Sequence, residues 1–108
     1  MHELSLATAI VDTCVERAAG NRVLRIRVEV GQLAAVLPDS LRVCFELCAQ
    51  GTTAEGATLE ILETPGRAEC LTCGAAAILS SPEGRCACGG RLRITSGEEL
   101  RIRDMEIA

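Results

Sequence analysis

The side chains best suited to chemistry in this sequence are seven cysteines and one histidine, and the histidine is residue 2. Thiolates and imidazoles are preferred ligands of zinc, copper and nickel. The chain opens with Met-His-Glu-Leu, which is unlike the basic start of a signal peptide. This start predicts a cytoplasmic protein, in which cysteines stay reduced and bind metals or react instead of forming disulfides.

Four of the cysteines form two clusters in a segment with little apolar bulk. CLTCG occupies residues 70–74 and CACGG occupies residues 86–90. Sulfurs around a tetrahedral zinc ion lie ~3.8 Å apart, and a turn with two intervening residues brings two sulfurs into this range. A lobe of about thirty residues also buries too little apolar surface to fold without a metal or a disulfide. The spacing predicts a structural zinc site formed by Cys70, Cys73, Cys86 and Cys88.

The second cluster is one residue shorter than the usual C-x-x-C turn. In an extended segment, residues two apart face the same side, so Cys86 and Cys88 can still bind one ion. We expect the shorter loop to lose an N–H···S hydrogen bond and to hold zinc less tightly. The alternative is a pair of redox-active thiols, which would form a reversible disulfide in the zinc-loaded protein.

The other three cysteines fall on the apolar faces of predicted helices. Cys14 lies on the first helix, whereas Cys44 and Cys48 are one turn apart on the second. Reduced cysteine commonly packs as a small apolar side chain, and this is the expected role. A second thiolate site between the helices is the alternative, although no histidine or carboxylate lies on that face to complete it.

The first residues form a possible chelator of a different kind. The amine of Met1, the amide nitrogen of His2 and the His2 imidazole can close fused rings around one ion, and Glu3 can add a fourth donor through its amide or side chain. Nitrogen donors in a plane suit Ni(II) or Cu(II). The alternative is that His2 has no role, because chain ends are often disordered.

The elements that position these residues follow from the apolar periodicity. Helices are predicted at residues 3–19 and 38–50, with Leu4 and Leu41 on their inner faces, and strands at 24–30, 58–63 and 100–107. The inner face of the first strand is predicted to include Leu24. We therefore predict an α+β fold, in which two helices cover one face of a three-stranded sheet. Residues 1–64 and 97–108 form this body, and residues 65–96 form an inserted zinc-binding lobe.

Composition and motifs exclude several functions. A net charge of −4 and a single aromatic residue are poorly suited to nucleic acid. Residues 51–58 imitate a phosphate-binding loop, but Ala57 occupies the position of the required lysine. No apolar run is long enough to span a bilayer, and no nucleophile–base arrangement is visible. The sequence thus predicts a protein that is not an enzyme.

The order of these motifs resembles the HypA/HybF family of nickel metallochaperones for hydrogenase maturation. The resemblance rests on MHELS at residues 1–5, the cysteine clusters, the second helix at residues 38–45 and SGEEL at residues 96–100. It covers the whole chain in order and length. The CACGG cluster departs from the family pattern, because one residue instead of two separates its cysteines.

The resemblance implies two metal sites and a set of partners. Nickel would be held by His2, the amine of Met1 and Glu3, and zinc by the four clustered cysteines. The chain would deliver nickel to the [NiFe]-hydrogenase large subunit with a HypB-type GTPase, and urease maturation proteins are further expected partners. A site built at a chain end is open on one side, so an acceptor can take the metal by ligand exchange. The alternative function is a zinc-ribbon protein-interaction module with no transferable metal.

Overall fold

The computed structural model describes residues 2–108. Helix α1 spans Glu3–Ala18 and helix α2 spans Pro38–Ala49, with a 3-10 turn at Gln32–Ala34. The described strands are β1 (Val23–Gly31), β2 (Thr58–Thr64), β3 (Gly66–Cys70), β4 (Ala76–Leu79), β5 (Leu92–Ser96) and β6 (Leu100–Ile107). No helix within residues 2–108 is long and apolar enough to cross a membrane.

The chain forms two compact units. The helical unit consists of residues 2–29, 36–62 and 101–108, and the cysteine unit consists of residues 30–35 and 63–100. Both helices belong to the first unit, and all four clustered cysteines belong to the second. The zinc-binding lobe expected at residues 65–96 stays a prediction.

The helical unit is built on a three-stranded sheet with β1 in the centre and the order β2-β1-β6. Ile26 and Val28 of β1 are buried, whereas Arg25 and Arg27, which alternate with them, face outward. The predicted α+β fold with two helices and a three-stranded sheet is confirmed. Leu24 was expected on the inner face but is 41% exposed, because Val23 takes the buried position at the start of the strand.

Helix α1 buries one stripe and ends in a left-handed turn. Its buried residues are Ala7, Ile10, Val11, Cys14 and Ala18. Leu4 was expected in this stripe but is 46% exposed, since it lies in the first turn, beyond the part of the helix that is covered. Ala19 has a φ of 49° and is followed by Gly20 at 89°, so the helix ends in a left-handed turn close to the predicted bound at residue 19.

Helix α2 begins with Pro38 in its first turn, as predicted, and packs against α1. Leu41, Phe45 and Ala49 are buried at successive intervals of four residues. Cys44 and Cys48 were expected beside them, but they are only half-buried. The stripe is centred on the three buried residues, which leaves both thiols at its border.

The outer face of the β2-β1-β6 sheet carries cross-strand ion pairs. Asp104 of β6 accepts two hydrogen bonds from Arg27 of β1, and Glu29 accepts one from Arg101 at 2.5 Å. Ile102 and Met105 are half-buried, and two exposed residues separate them. This spacing is one residue longer than strict alternation along a strand allows.

The cysteine unit contains a second sheet, with the order β4-β3-β5 and antiparallel pairing. The strands β3 and β4 were not predicted, because they are short and rich in alanine and glycine, which have weak strand preference. A small apolar cluster covers this sheet: Leu33, Ala68 and Leu79, with Leu92 and Ile94 packed against them. Apolar burial in the unit is therefore small, and small folds of this kind often contain a metal or a disulfide.

Three glycines allow backbone segments of the cysteine unit to meet without side chains. A Cβ atom on Gly31 would lie 1.9 Å from the carbonyl oxygen of Gly97, and one on Gly97 would lie 2.6 Å from Cα of Gly66. Gly97 also has a φ of +105°, which disfavours any other residue. The carbonyl of Gly97 also accepts a hydrogen bond of 2.8 Å from the amide of Leu33. This bond joins the two backbone segments that the glycines allow to approach.

Candidate metal centre

The four clustered cysteines bring their sulfur atoms together. All four Sγ atoms lie within 4.8 Å of one another. Cys70 Sγ is 3.6 Å from Cys88 Sγ, and Cys73 Sγ is 3.6 Å from Cys86 Sγ. Sulfurs bound to a tetrahedral zinc ion are ~3.8 Å apart. The donor set and its spacing thus fit a zinc ion.

The first cluster follows directly from the end of β3. The amides of Thr72 and Cys73 both donate to Cys70 Sγ at 3.4 Å. Gly74 donates to the carbonyl of Cys70 at 3.0 Å and has a φ of +76°. This is the tight turn and the positive-φ glycine that the C-x-x-C-G pattern predicts.

The second cluster closes a comparable turn with one residue fewer. Gly89, with a φ of +83°, donates to the carbonyl of Cys86 at 2.9 Å. The amide of Gly90 donates to Cys88 Sγ at 3.3 Å. The second cluster thus has one N–H···S bond where the first has two, which agrees with the expected loss of one such bond.

Gly90 also joins the second cluster to the first. A Cβ atom at this position would lie 2.8 Å from Cys70 Sγ and 2.7 Å from Thr72 Oγ1. The backbone at Gly90 therefore lies so close to the first cluster that no side chain fits between them. The sequence showed a second glycine after the cysteine pair, but it gave no means of relating that glycine to Cys70.

The thiols of Cys70 and Cys88 differ in acidity because their neighbours shift the two pKa values in opposite directions. The amides of Cys73 and Thr72 lower the pKa of Cys70 to about 6. The Gly90 amide lowers the pKa of Cys88, but the adjacent thiols outweigh it and raise that pKa to about 12. A divalent cation removes this difference, since a coordinated thiol is held as the thiolate.

The other cysteines do not join a metal group. Among residues 2–108, the four clustered cysteines form the one group of three or more metal-binding side chains with adjacent donor atoms. Cys14 is 1% exposed, and burial raises the pKa of its thiol. Cys48 Sγ lies 3.5 Å from Thr8 Oγ1, so its polar neighbour is a hydroxyl. This arrangement fits the expectation that Cys14, Cys44 and Cys48 pack without a metal, and it does not favour a second thiolate site between the helices.

His2 lies exposed at the start of α1 and caps the helix. Its Nδ1 atom accepts a hydrogen bond of 3.2 Å from the amide of Leu4, and its carbonyl accepts the first helical bond from Leu6 at 3.1 Å. Glu3 is the first helical residue and is half-buried. The predicted donor on Met1 lies outside the described residues. The structure therefore places two of the three predicted nickel-binding residues side by side.

Comparison with known proteins adds independent information. Residues 1–107 match the family model for HypA, described as a hydrogenase and urease nickel-incorporation metallochaperone. The chain is 47% identical to the hydrogenase maturation factor HypA of Nostoc punctiforme over 108 residues, covering 99% of this chain and 96% of that protein. It is 42% identical to the Geobacter metallireducens factor of the same name over 109 residues, covering 99% of each.

Solved structures show the same fold. The solution structure of the nickel metallochaperone HypA from Helicobacter pylori matches with a TM-score of 0.69 and 24% identity, covering 99% of this chain and 97% of that one. A second solution structure of a HypA protein matches with a TM-score of 0.71 and 23% identity, covering 100% and 97%. By sequence and by fold, the chain belongs to the HypA family of hydrogenase and urease nickel-incorporation metallochaperones.

Proposed function

We propose that this protein binds Ni(II) at its N-terminus and delivers it to the large subunit of a [NiFe]-hydrogenase during maturation. The observation that carries the proposal is the exposed imidazole of His2 at the head of α1, in a chain of the HypA family. The expected donors are the amine of Met1, the amide and imidazole nitrogens of His2, and Glu3. Nitrogen donors in a plane suit Ni(II).

The position of these residues in the helix supports an amide donor from Glu3. The first amides of an α-helix have no carbonyl four residues earlier to bond. Here the first helical bond runs from Leu6 to His2, so the Glu3 amide lies ahead of the bonded ladder. Nickel can replace its proton without breaking a helical hydrogen bond.

The proposed site suits a carrier, because a site at a chain end leaves one side of the ion open. An acceptor with free thiolates can attack from that side and remove the ion by ligand exchange. The nickel donors belong to the helical unit, whereas zinc is proposed for the cysteine unit. The partners proposed are a HypB-type GTPase and the hydrogenase large subunit in the cytoplasm, with urease maturation proteins as further recipients.

Zinc has a structural role in this proposal. Its ligands would be the four cysteines of residues 70–88, which converge from two turns of the cysteine unit. Zinc would supply four bonds to a unit whose apolar cluster is small. The chain's own contribution is the set of three N–H···S hydrogen bonds from Thr72, Cys73 and Gly90, which orient two of the sulfurs.

One observation favours a second candidate function, a zinc-ribbon interaction module with no transferable metal. Leu71 in the first cluster is 64% exposed, and Ile78 on the edge strand β4 is 76% exposed. Exposed apolar side chains of this kind suit contact with another protein. In that case His2 would have no metal role, and the two functions therefore differ in their response to nickel.

A nickel titration of the zinc-loaded chain tests the proposal. We expect His2→Ala to weaken nickel binding by at least about tenfold, because it removes a ligand. The matched control is Asp12→Ala, which removes an exposed charge on the same helix and should bind nickel as the wild type does. Equal affinity in wild type and His2→Ala would leave the interaction module as the better account.

A further inference from the structure

We propose that nickel and helix α1 compete for the same nitrogen of His2, so that loading the metal uncaps the helix. The inference rests on the proposed nickel site and adds a conformational consequence to it. Nδ1 of His2 accepts the Leu4 amide at 3.2 Å, which makes histidine the N-cap of α1.

The cap satisfies an amide that has no other partner in the helix. His2 has extended backbone angles, with φ −82° and ψ 128°, and the helix starts at the next residue. The Leu4 amide belongs to the first turn, where helical amides lack carbonyl partners. Serine, threonine, aspartate and asparagine usually provide this acceptor. Here the acceptor is a ring nitrogen of the one histidine in the chain.

Chelation requires that same nitrogen. A ring closed through the His2 amide nitrogen, Cα, Cβ, Cγ, Nδ1 and the metal has six members. Nε2 lies on the far side of the imidazole and cannot close a comparable ring. Accepting the Leu4 amide already requires Nδ1 to be unprotonated, with the proton on Nε2. The cap therefore holds the imidazole in the form that binds nickel, but its single lone pair cannot serve both partners.

The competition reverses the usual effect of a ligand on stability. The proposed donors are consecutive in sequence, so the unfolded chain can also bind nickel. Only the folded chain must give up the Leu4 hydrogen bond to do so. A ligand that binds the unfolded state more tightly lowers the stability of the folded state. Nickel should consequently loosen the first turn of α1, where Leu4 is already exposed, and an acceptor can distinguish the loaded from the empty chain there.

Thermal unfolding of the full zinc-loaded chain tests the inference. Helical circular dichroism reports the helical unit, because both described helices belong to it. We expect saturating nickel to lower the midpoint by about 2–6 °C, from the usual contribution of an N-cap and the size of such a unit. The Leu4 amide should exchange its hydrogen about fivefold faster with nickel bound.

The matched variant is His2→Asn, which keeps a good capping side chain and removes the imidazole. Its midpoint should equal or exceed that of the wild type, and nickel should leave it unchanged. If nickel binds through His2 but the midpoint stays constant or rises, or Leu4 exchange is unaltered, the competition is wrong and the proposed function survives. If nickel does not bind through His2 at all, the proposed function fails as well.

Discussion

At the scale of single residues, Gly90 determines how closely the two cysteine clusters approach. A Cβ atom there would press on Cys70 Sγ at 2.8 Å and on Thr72 Oγ1 at 2.7 Å. We expect Gly90→Ala to displace Cys70 and to weaken zinc binding by at least about tenfold, as changes beside metal ligands often do. Competition with a chromophoric chelator measures this. Ala87→Ser, on an exposed residue of the same turn, is the control and should bind as the wild type does.

The buried thiol of Cys14 gives a second prediction at this scale. Since it is 1% exposed, Cys14→Ser buries a hydroxyl without an assigned partner. We expect a loss of about 1–3 kcal/mol of unfolding free energy. Cys14→Ala removes one atom instead and should cost less. Urea unfolding of both variants provides the comparison, and a serine variant as stable as the alanine variant would show that Cys14 is not in an apolar environment.

The sequence was most informative where chemistry depends on residues close in the chain. The cysteine spacing predicted a cluster that the structure brings together, and the glycines at 74 and 89 that follow the cysteine pairs both have a positive φ. It could not indicate that His2 caps α1, because histidine is not a usual N-cap. It also could not indicate the approach of Gly90 to Cys70, since this contact depends on how two turns pack.

At the scale of elements, the ion pair between Asp104 of β6 and Arg27 of β1 predicts a pH dependence. The hydrogen bond from Arg27 lowers the pKa of Asp104 in the folded chain. Its stabilising effect is thus present above the unfolded-state pKa and is lost as the pH falls through the lower, folded-state value. We expect Asp104→Asn to be less stable than wild type at pH 7 and to match it at very low pH. Equal stability at both pH values would show that the pair contributes nothing.

Whole elements were predicted where the apolar pattern is long. Both helices and the strands β1, β2 and β6 lie close to their predicted bounds. Leu4 and Leu24 were misplaced because they lie at the ends of their elements, where periodicity continues but the covering layer stops. The strands β3 and β4 were missed because they are short and are held by pairing with each other, which local sequence preference does not indicate.

At the scale of the whole molecule, the two units should respond differently to zinc removal. The cysteine unit has a small apolar cluster, whereas the helical unit buries most of the core. We expect a strong chelator under reducing conditions to broaden the amide NMR signals of the cysteine unit. The helical circular dichroism should remain, since both described helices lie in the other unit. Full retention of native signals in residues 63–100 without zinc would contradict a structural role for the metal.

The acidity of the thiols predicts how the proposed zinc site responds to pH. The pKa of Cys88 is raised to about 12, so zinc must displace its proton at neutral pH. The pKa of Cys70 is lowered to about 6, and below that value zinc must displace a further proton. Zinc affinity should therefore fall with decreasing pH, and more steeply below about 6. A zinc affinity that is constant between pH 5 and 8 would argue against thiolate ligands.

The central claim, that nickel is held jointly by the amine of Met1 and the adjacent imidazole, is tested most directly by blocking the amine. Nickel binding by the zinc-loaded chain should be compared with that of a chain carrying one added residue before Met1, with His2 unchanged. The account predicts that the extended chain loses high-affinity nickel while it retains zinc and its helical signal. Undiminished nickel binding by the extended chain would contradict it.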